Sequence, residues 1–188
     1  MGLRLKTAAT VTTIFSALLG AIYLLFSEAI LGEFASIEAN QASIDLARVM
    51  EAVQGVENDL EARAVEWSHW DEALDYIQAP HHDFIQTNFE GSPFDFQDLL
   101  FLNPQGQIVF AGRLEKGSDQ FIPLPDDARD SLFREAPVED LLQSRDLKSF
   151  SGFIRQDGAP LIVAASTLSD TSATRAPQGA LILSLIHI

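Results

Sequence analysis

Seven side chains have types and positions suited to lining a small-molecule pocket: Trp67, Trp70, Asp71, Tyr76, Asn88, Phe110 and Arg113. Ligand pockets are mostly aromatic and apolar, with a few polar groups that fix orientation. Trp67 and Trp70 stand three residues apart, which puts them on one helical face with Leu60 and Leu74. As core anchors both indoles tie a helix to its domain; as pocket walls one of them faces a ligand. Asp71, beside Trp70, can serve as a structural hydrogen-bond acceptor or as a ligand contact. Tyr76 and Asn88 can reach the same cleft between helix and sheet, though an asparagine also bonds backbone readily. Phe110 closes an extended run and Arg113 follows it. Arg113, like Arg155 at the end of another run, carries a guanidinium fork that can clamp a carboxylate through two nitrogens. Such a clamp suits an organic-acid ligand; surface salt bridging is the plainer use.

Other chemistries find little support. The sequence has no phosphate-cradling glycine loop, no HExxH and no GxSxG, so no catalytic residue is assigned. Asp71 and Glu72 are neighbours that point in different directions, which is no acid/base pair. His69, His81, His82 and Asp83 invite a metal or pH-sensing reading, but adjacent histidines diverge on regular structure, so no metal site is assigned. There is no cysteine, hence no disulfide framework and no thiolate ligand. Without a clear axial histidine either, no cofactor is expected.

The elements that must position these residues follow from charge and periodicity. A chain of 188 residues suits one domain plus an anchor. The first 27 residues hold Arg4 and Lys6 and no acid, so of 12 basic and 27 acidic residues the remainder keeps 10 and 27, a net of −17. Such a domain repels nucleic acid and anionic lipid. Thr7 to Phe26 is uncharged and mostly apolar, and 20 helical residues span a hydrocarbon core of about 30 Å. Basic residues precede this run while Glu28 and Glu33 follow it. The positive-inside rule then leaves residues 1–6 cytoplasmic and exports the rest. A signal peptide cleaved near Ser27-Glu28-Ala29 is the alternative, and either way the domain leaves the cytoplasm. The expected location is a membrane, with the domain outside the cytoplasm.

From Ser27 to about Ile77 there is no proline, and apolar residues recur at helical steps. Ile30, Phe34, Ile37 and Ile44 make one stripe. Val53, Val56, Leu60, Trp67, Trp70 and Leu74 make a second, with Arg63 in its polar slot. The stripes fall out of heptad phase between Ile44 and Val53, as a stutter or face change would produce. About fifty helical residues reach roughly 75 Å. Residues 27–54 are read as a juxtamembrane helix pairing with a second copy, and the continuation as packing on its own domain. The helix is expected to end before Pro80, with a short helix over His81–Glu90 that Gly91-Ser92-Pro93 breaks. Leu99–Leu102 and Gln107–Phe110 flank the turn Asn103-Pro104-Gln105-Gly106 as a hairpin. Asp126–Leu147 reads as helix broken at Pro137. Ser151–Arg155 and Leu161–Thr167 form a second hairpin about Gln156-Asp157-Gly158. Leu168–Gln178 is a polar loop, and a strand begins at Gly179. The sum is an α+β chain: a transmembrane helix continuing into a long amphipathic helix, then a domain with a central antiparallel sheet.

The stretch Trp67-x-x-Trp70-Asp71-Glu72-x-x-x-Tyr76, then Asn88, Leu100-x-Leu102 and the Gly106 turn, resembles the type-four CHASE domain, the cyclase/histidine-kinase-associated sensing extracellular domain. Ser151-Gly152-Phe153, Asp157-Gly158-x-Pro160, Val163-Ala164-Ala165 and Gly179-Ala180-Leu181 fall where that family has its closing strands. The resemblance covers residues 55–185. It implies a PAS-like sheet on a long helix, flanking transmembrane helices in a bacterial inner membrane with the domain periplasmic, and a cytoplasmic GGDEF, EAL or histidine-kinase output. It also implies a ligand-sensing receptor domain acting on a small-molecule ligand, not itself an enzyme. A homodimer through the long helix is expected. An anchored binding or scaffolding module without output is the rival. The end, residues 183–188, is expected to be artefactual or truncated.

Overall fold

The computed structural model describes residues 2–91, 96–115, 117–118, 120–156 and 158–185. It divides into two units, residues 1–52 and 53–188. From Leu3 onward the first unit belongs to the helix α1 (Leu3–Ser68), whose last turns lie in the second unit. Lys6–Ser27 is apolar and long enough to cross a membrane. Its Val11, Ile14, Phe15 and Leu18 are exposed in the isolated chain, as lipid-facing residues of a spanning helix would be.

The second unit is built on a six-stranded antiparallel sheet. Its strands are β1 (Asp98–Leu102), β2 (Ile108–Leu114), β3 (Phe121–Pro123), β4 (Ser149–Gln156), β5 (Ala159–Thr167) and β6 (Ala180–Leu185). The order across the sheet is β3-β2-β1-β6-β5-β4, which puts the first and last of them side by side at the centre. Helices cover both faces. The end of α1, with α2 (Asp71–Gln78) and α3 (His82–Asn88), packs on Leu99, Phe101, Ile162, Ala164, Leu181 and Leu183. On the opposite face, α4 (Asp126–Glu135) and α5 (Val138–Gln143) pack on Leu100, Leu102, Val163, Ala165 and Ile182. Successive strand residues point to opposite faces, so strands covered on both sides are apolar at nearly every position, with hydrogen-bonded exceptions such as Asp98 and Ser184. That is why Leu99–Leu102 reads as an unbroken apolar run rather than an alternating one.

Both expected hairpins form. The first turn is closed by Asn103, whose Oδ1 accepts the Gln105 and Gln107 backbone N–H groups at 3.1 and 2.9 Å, with Gly106 at φ +74. Gly179, at φ +140, opens β6, and a Cβ there would strike the Leu102 carbonyl oxygen of β1. Glycine is what lets these two central backbones approach. Of the expected turns, Asp157 and Ser92-Pro93 lie outside the described residues, as do 186–188 of the suspect terminus. Leu183–Leu185 pair within β6.

One expectation fails. The helix predicted to run unbroken to Pro80 stops at Ser68, and α2 starts afresh at Asp71. Two tertiary bonds capture the last turn. The Ser68 carbonyl accepts the Ser169 N–H at 2.9 Å, and its hydroxyl donates to Ser166 Oγ at 2.8 Å. Trp70 is extended, at φ −96 and ψ 132, and its carbonyl accepts the Ala73 and Leu74 N–H groups of α2. Asp71 and Glu72 then stand in the first turn of the new helix, where its dipole favours negative charge. Helical periodicity does not register such a break, because an extended residue between two helices disturbs the apolar spacing only slightly.

Candidate ligand-binding site

The α2–α3 side of the sheet carries a cleft of about 330 Å³, lined by Tyr76, Pro80, His81, Ile85, Glu90, Phe110 and Phe121. This lies at the small end of ligand-pocket sizes. Tyr76 comes from the buried face of α2 and its ring stacks on Phe84, centroids 4.6 Å apart. Burial raises the Tyr76 hydroxyl pKa, since the phenolate would lose its hydration. Phe110 on β2 meets Phe121 on β3 edge to face at 5.4 Å. Glu90 follows α3, and its Oε1 accepts the Phe121 N–H at 3.3 Å, which ties the helical shelf to the sheet edge. A wider, open depression of about 940 Å³ runs along α4 and α5 on the other face, among Arg129, Asp130, Arg134 and Glu139. Arg129 there is already paired with Asp126 and Asp130.

Of the seven predicted residues, the cleft gathers Tyr76 and Phe110. Trp67 is 2% exposed and packs edge-on to Phe89 and Phe96, with centroids at 5.0 and 5.4 Å. Trp70, half-buried, lies 6.3 Å from Trp67 at 54° across the helix break, so the two indoles do not share one continuous helical face. Asp71 accepts the Thr171 N–H at 3.1 Å, and Asn88 donates to the Phe84 carbonyl at 2.9 Å. Arg113 does clamp a carboxylate, but that of Asp98: Nε reaches Oδ1 at 2.7 Å and Nη2 reaches Oδ2 at 3.0 Å. Neither Arg113 nor Arg155 is among the residues lining the cleft. Pro80, Ile85, Glu90 and Phe121 were not singled out from sequence. The strand carrying Phe121 has three residues and no period to read, whereas the four-residue steps from Tyr76 to Pro80 and from His81 to Ile85 were a usable signal.

The helix and sheet are joined by a second set of bonds. Glu61 on α1 accepts the hydroxyls of Ser149 at 2.6 Å and Ser151 at 2.7 Å, both on edge strand β4. Those two hydroxyls hold the Glu61 carboxyl below its usual range. The lowered pKa means that the contact stabilises the fold fully above about pH 4.5, and that this is lost as pH falls through the lowered value. Melting curves from pH 7 to pH 3 should therefore show wild type ahead of Glu61→Gln at neutral pH, with the gap closing as acid is added. A gap constant with pH would contradict this. In the loop after β5, the Asp170 carboxylate accepts the N–H groups of Thr174 and Arg175 and the hydroxyls of Ser172 and Thr174. These bonds depress its pKa strongly and close the loop on itself.

A family model for the CHASE4 domain matches residues 52–185. This chain belongs to the CHASE4 domain family. A CHASE4 domain is a sensing domain of membrane signalling receptors, and residues 52–185 hold that role here. The apolar helix ahead of the CHASE4 domain supports a membrane-anchored protein with an extracellular domain. Two solved structures are similar. One is the extracellular domain of a protein described as a histidine kinase; the other is a domain of a protein from Vibrio parahaemolyticus described as of the sensory box/GGDEF family. Both are 13% identical with a TM-score of 0.47, and the alignments cover 78% and 74% of this chain. They cover 56% and 57% of those chains, so this chain spans just over half their length. No curated protein matches it.

Proposed function

We propose that this CHASE4 domain detects a small molecule in the cleft beneath α2 and α3 and passes the event to α1, which carries it to the membrane. The observation behind this reading is the set of bonds tying the last turns of α1 to the sheet. Glu61 engages β4, while Ser68 engages β5 and the loop after it. A ligand with unequal affinity for two placements of α2–α3 over the sheet shifts their populations. Displacements of about 1–2 Å at a helix interface are enough for signalling. The N-terminus is cytoplasmic and the sensing domain periplasmic, in keeping with Arg4 and Lys6 before the apolar run and Glu28 and Glu33 after it. The chain itself is non-catalytic. A GGDEF, EAL or histidine-kinase module, reached through a second membrane helix, supplies the output.

The receptor works as a homodimer. Ile30, Phe34, Ile37 and Ile44 on α1 are 48%, 63%, 59% and 39% exposed, at spacings that suit the seam of a two-stranded coil. Single cysteines at positions 37 and 44 should crosslink between copies in membrane vesicles, while cysteines on the opposite face should not. Equal crosslinking on both faces, or none, sinks the dimer. Sequencing the source DNA past codon 183 tests the output. An apolar run of about 20 residues followed by a signalling module upholds the receptor reading, and an immediate stop codon leaves an anchored binding module.

A further inference from the structure

We infer that the cleft takes a small organic cation, a protonated primary amine on a compact apolar group; this rests on the sensing role proposed above and deepens it. Three rings, Tyr76, Phe110 and Phe121, face the space together with Pro80 and Ile85. Aromatic faces attract cations through their quadrupole, most of all where water is excluded. The charged side chain among the lining residues is Glu90, and no lysine or arginine lines the cleft among the described residues. Glu90 spends one oxygen on the Phe121 N–H. A carboxylate offers about four lone-pair sites, so acceptor capacity remains for an ammonium group.

His81 adds a second acceptor. Its Nδ1 lies 3.2 Å from the Ala79 carbonyl, which can only accept, so in the neutral ring Nδ1 carries the proton and Nε2 accepts. An anionic ligand would meet Glu90 with no lysine or arginine beside it among the described lining residues, and Arg113 is engaged by the buried Asp98. The chain's net charge of −15 also concentrates cations around the domain.

The test is calorimetric titration of the full chain in neutral detergent micelles with three probes on one phenylethyl scaffold: 2-phenylethylammonium, 2-phenylethanol and 3-phenylpropionate. The ammonium should bind about tenfold or more tighter than the alcohol, as a charge-assisted bond requires, and the anion should bind weakest. Glu90→Gln keeps an acceptor for the Phe121 N–H but removes the charge. It should cost the ammonium about tenfold and the alcohol clearly less, with melting temperature confirming the fold. Phe110→Trp, whose larger ring crowds the cleft, should weaken or block binding of every probe. Alcohol or anion binding as tightly as the ammonium, or ammonium binding insensitive to Glu90→Gln, overturns the cationic class. If Phe110→Trp still blocks binding in that case, the cleft survives as the ligand site. Should no probe bind, or should Phe110→Trp leave binding intact, both the class and the cleft fall.

Discussion

Asp98→Ala should destabilise the sensing unit by about 3–5 kcal/mol, the range for removing one partner of a buried ion pair. The Asp98 side chain is fully buried, and that of Arg113 is 22% exposed. Asp98 stands on β1, directly opposite Arg113 on β2 and Ser184 on β6. Its two oxygens accept both nitrogens of the Arg113 fork and the Ser184 hydroxyl at 2.8 Å. The carboxylate thus ties the three central strands at one level. Truncating it removes two charge-assisted bonds from the Arg113 fork in a largely desolvated place. Arg113→Ala should cost a similar amount for the mirrored reason, an unpaired buried carboxylate. The double variant Asp98→Leu/Arg113→Met should recover much of the loss, because buried pairs are often replaceable by apolar residues of like volume. Urea denaturation followed by circular dichroism measures all three. A loss below about 1 kcal/mol for Asp98→Ala would mean that solvent reaches the pair.

Trp67→Ala should cost about 3–5 kcal/mol, the range for deleting a buried large aromatic. Trp67 sits where the end of α1 meets the helices that shelter the cleft. Its ring touches Phe89, beyond α3, and Phe96, ahead of β1. Phe89 in turn packs on Phe84 and Phe101, so a cavity at Trp67 loosens a connected aromatic cluster. Trp70→Ala should cost clearly less, since its ring is half-buried and adjoining solvent can fill the space. Each variant keeps one of the two tryptophans, so the remaining fluorescence reports unfolding in both. Equal losses would mean that the two indoles carry equal weight in the core.

On the sensing role proposed above, the loss at Trp67 also bears on the cleft. Tyr76 and Phe84, part of the same cluster, brace one wall of the cleft. A mild variant such as Trp67→Phe is therefore expected to change ligand affinity with little loss of fold.

Much of the architecture is legible in the sequence because its causes are local. The charge-free run to Phe26 needs only length and hydropathy to mark a membrane helix. Asn103 and Gly106 close their turn with side-chain and backbone bonds inside five residues. Leu99–Leu102 announces a strand covered on both faces, and Pro137 divides the helix pair α4–α5. The Trp67 to Tyr76 element carried the family resemblance. What the tertiary structure decided involves partners far apart in the chain. Ser68 meets Ser166 and Asp71 meets Thr171, and those contacts break the helix that periodicity carries on to Pro80. Arg113 finds its carboxylate inside the fold at Asp98, with Ser184 arriving from 86 residues away. Glu90 and Phe121 join the cleft only when β3 adds to the sheet edge. Spacing reports which side chains share a face of one element, but the folding back of the chain chooses which elements meet, and a binding cleft is made where elements meet.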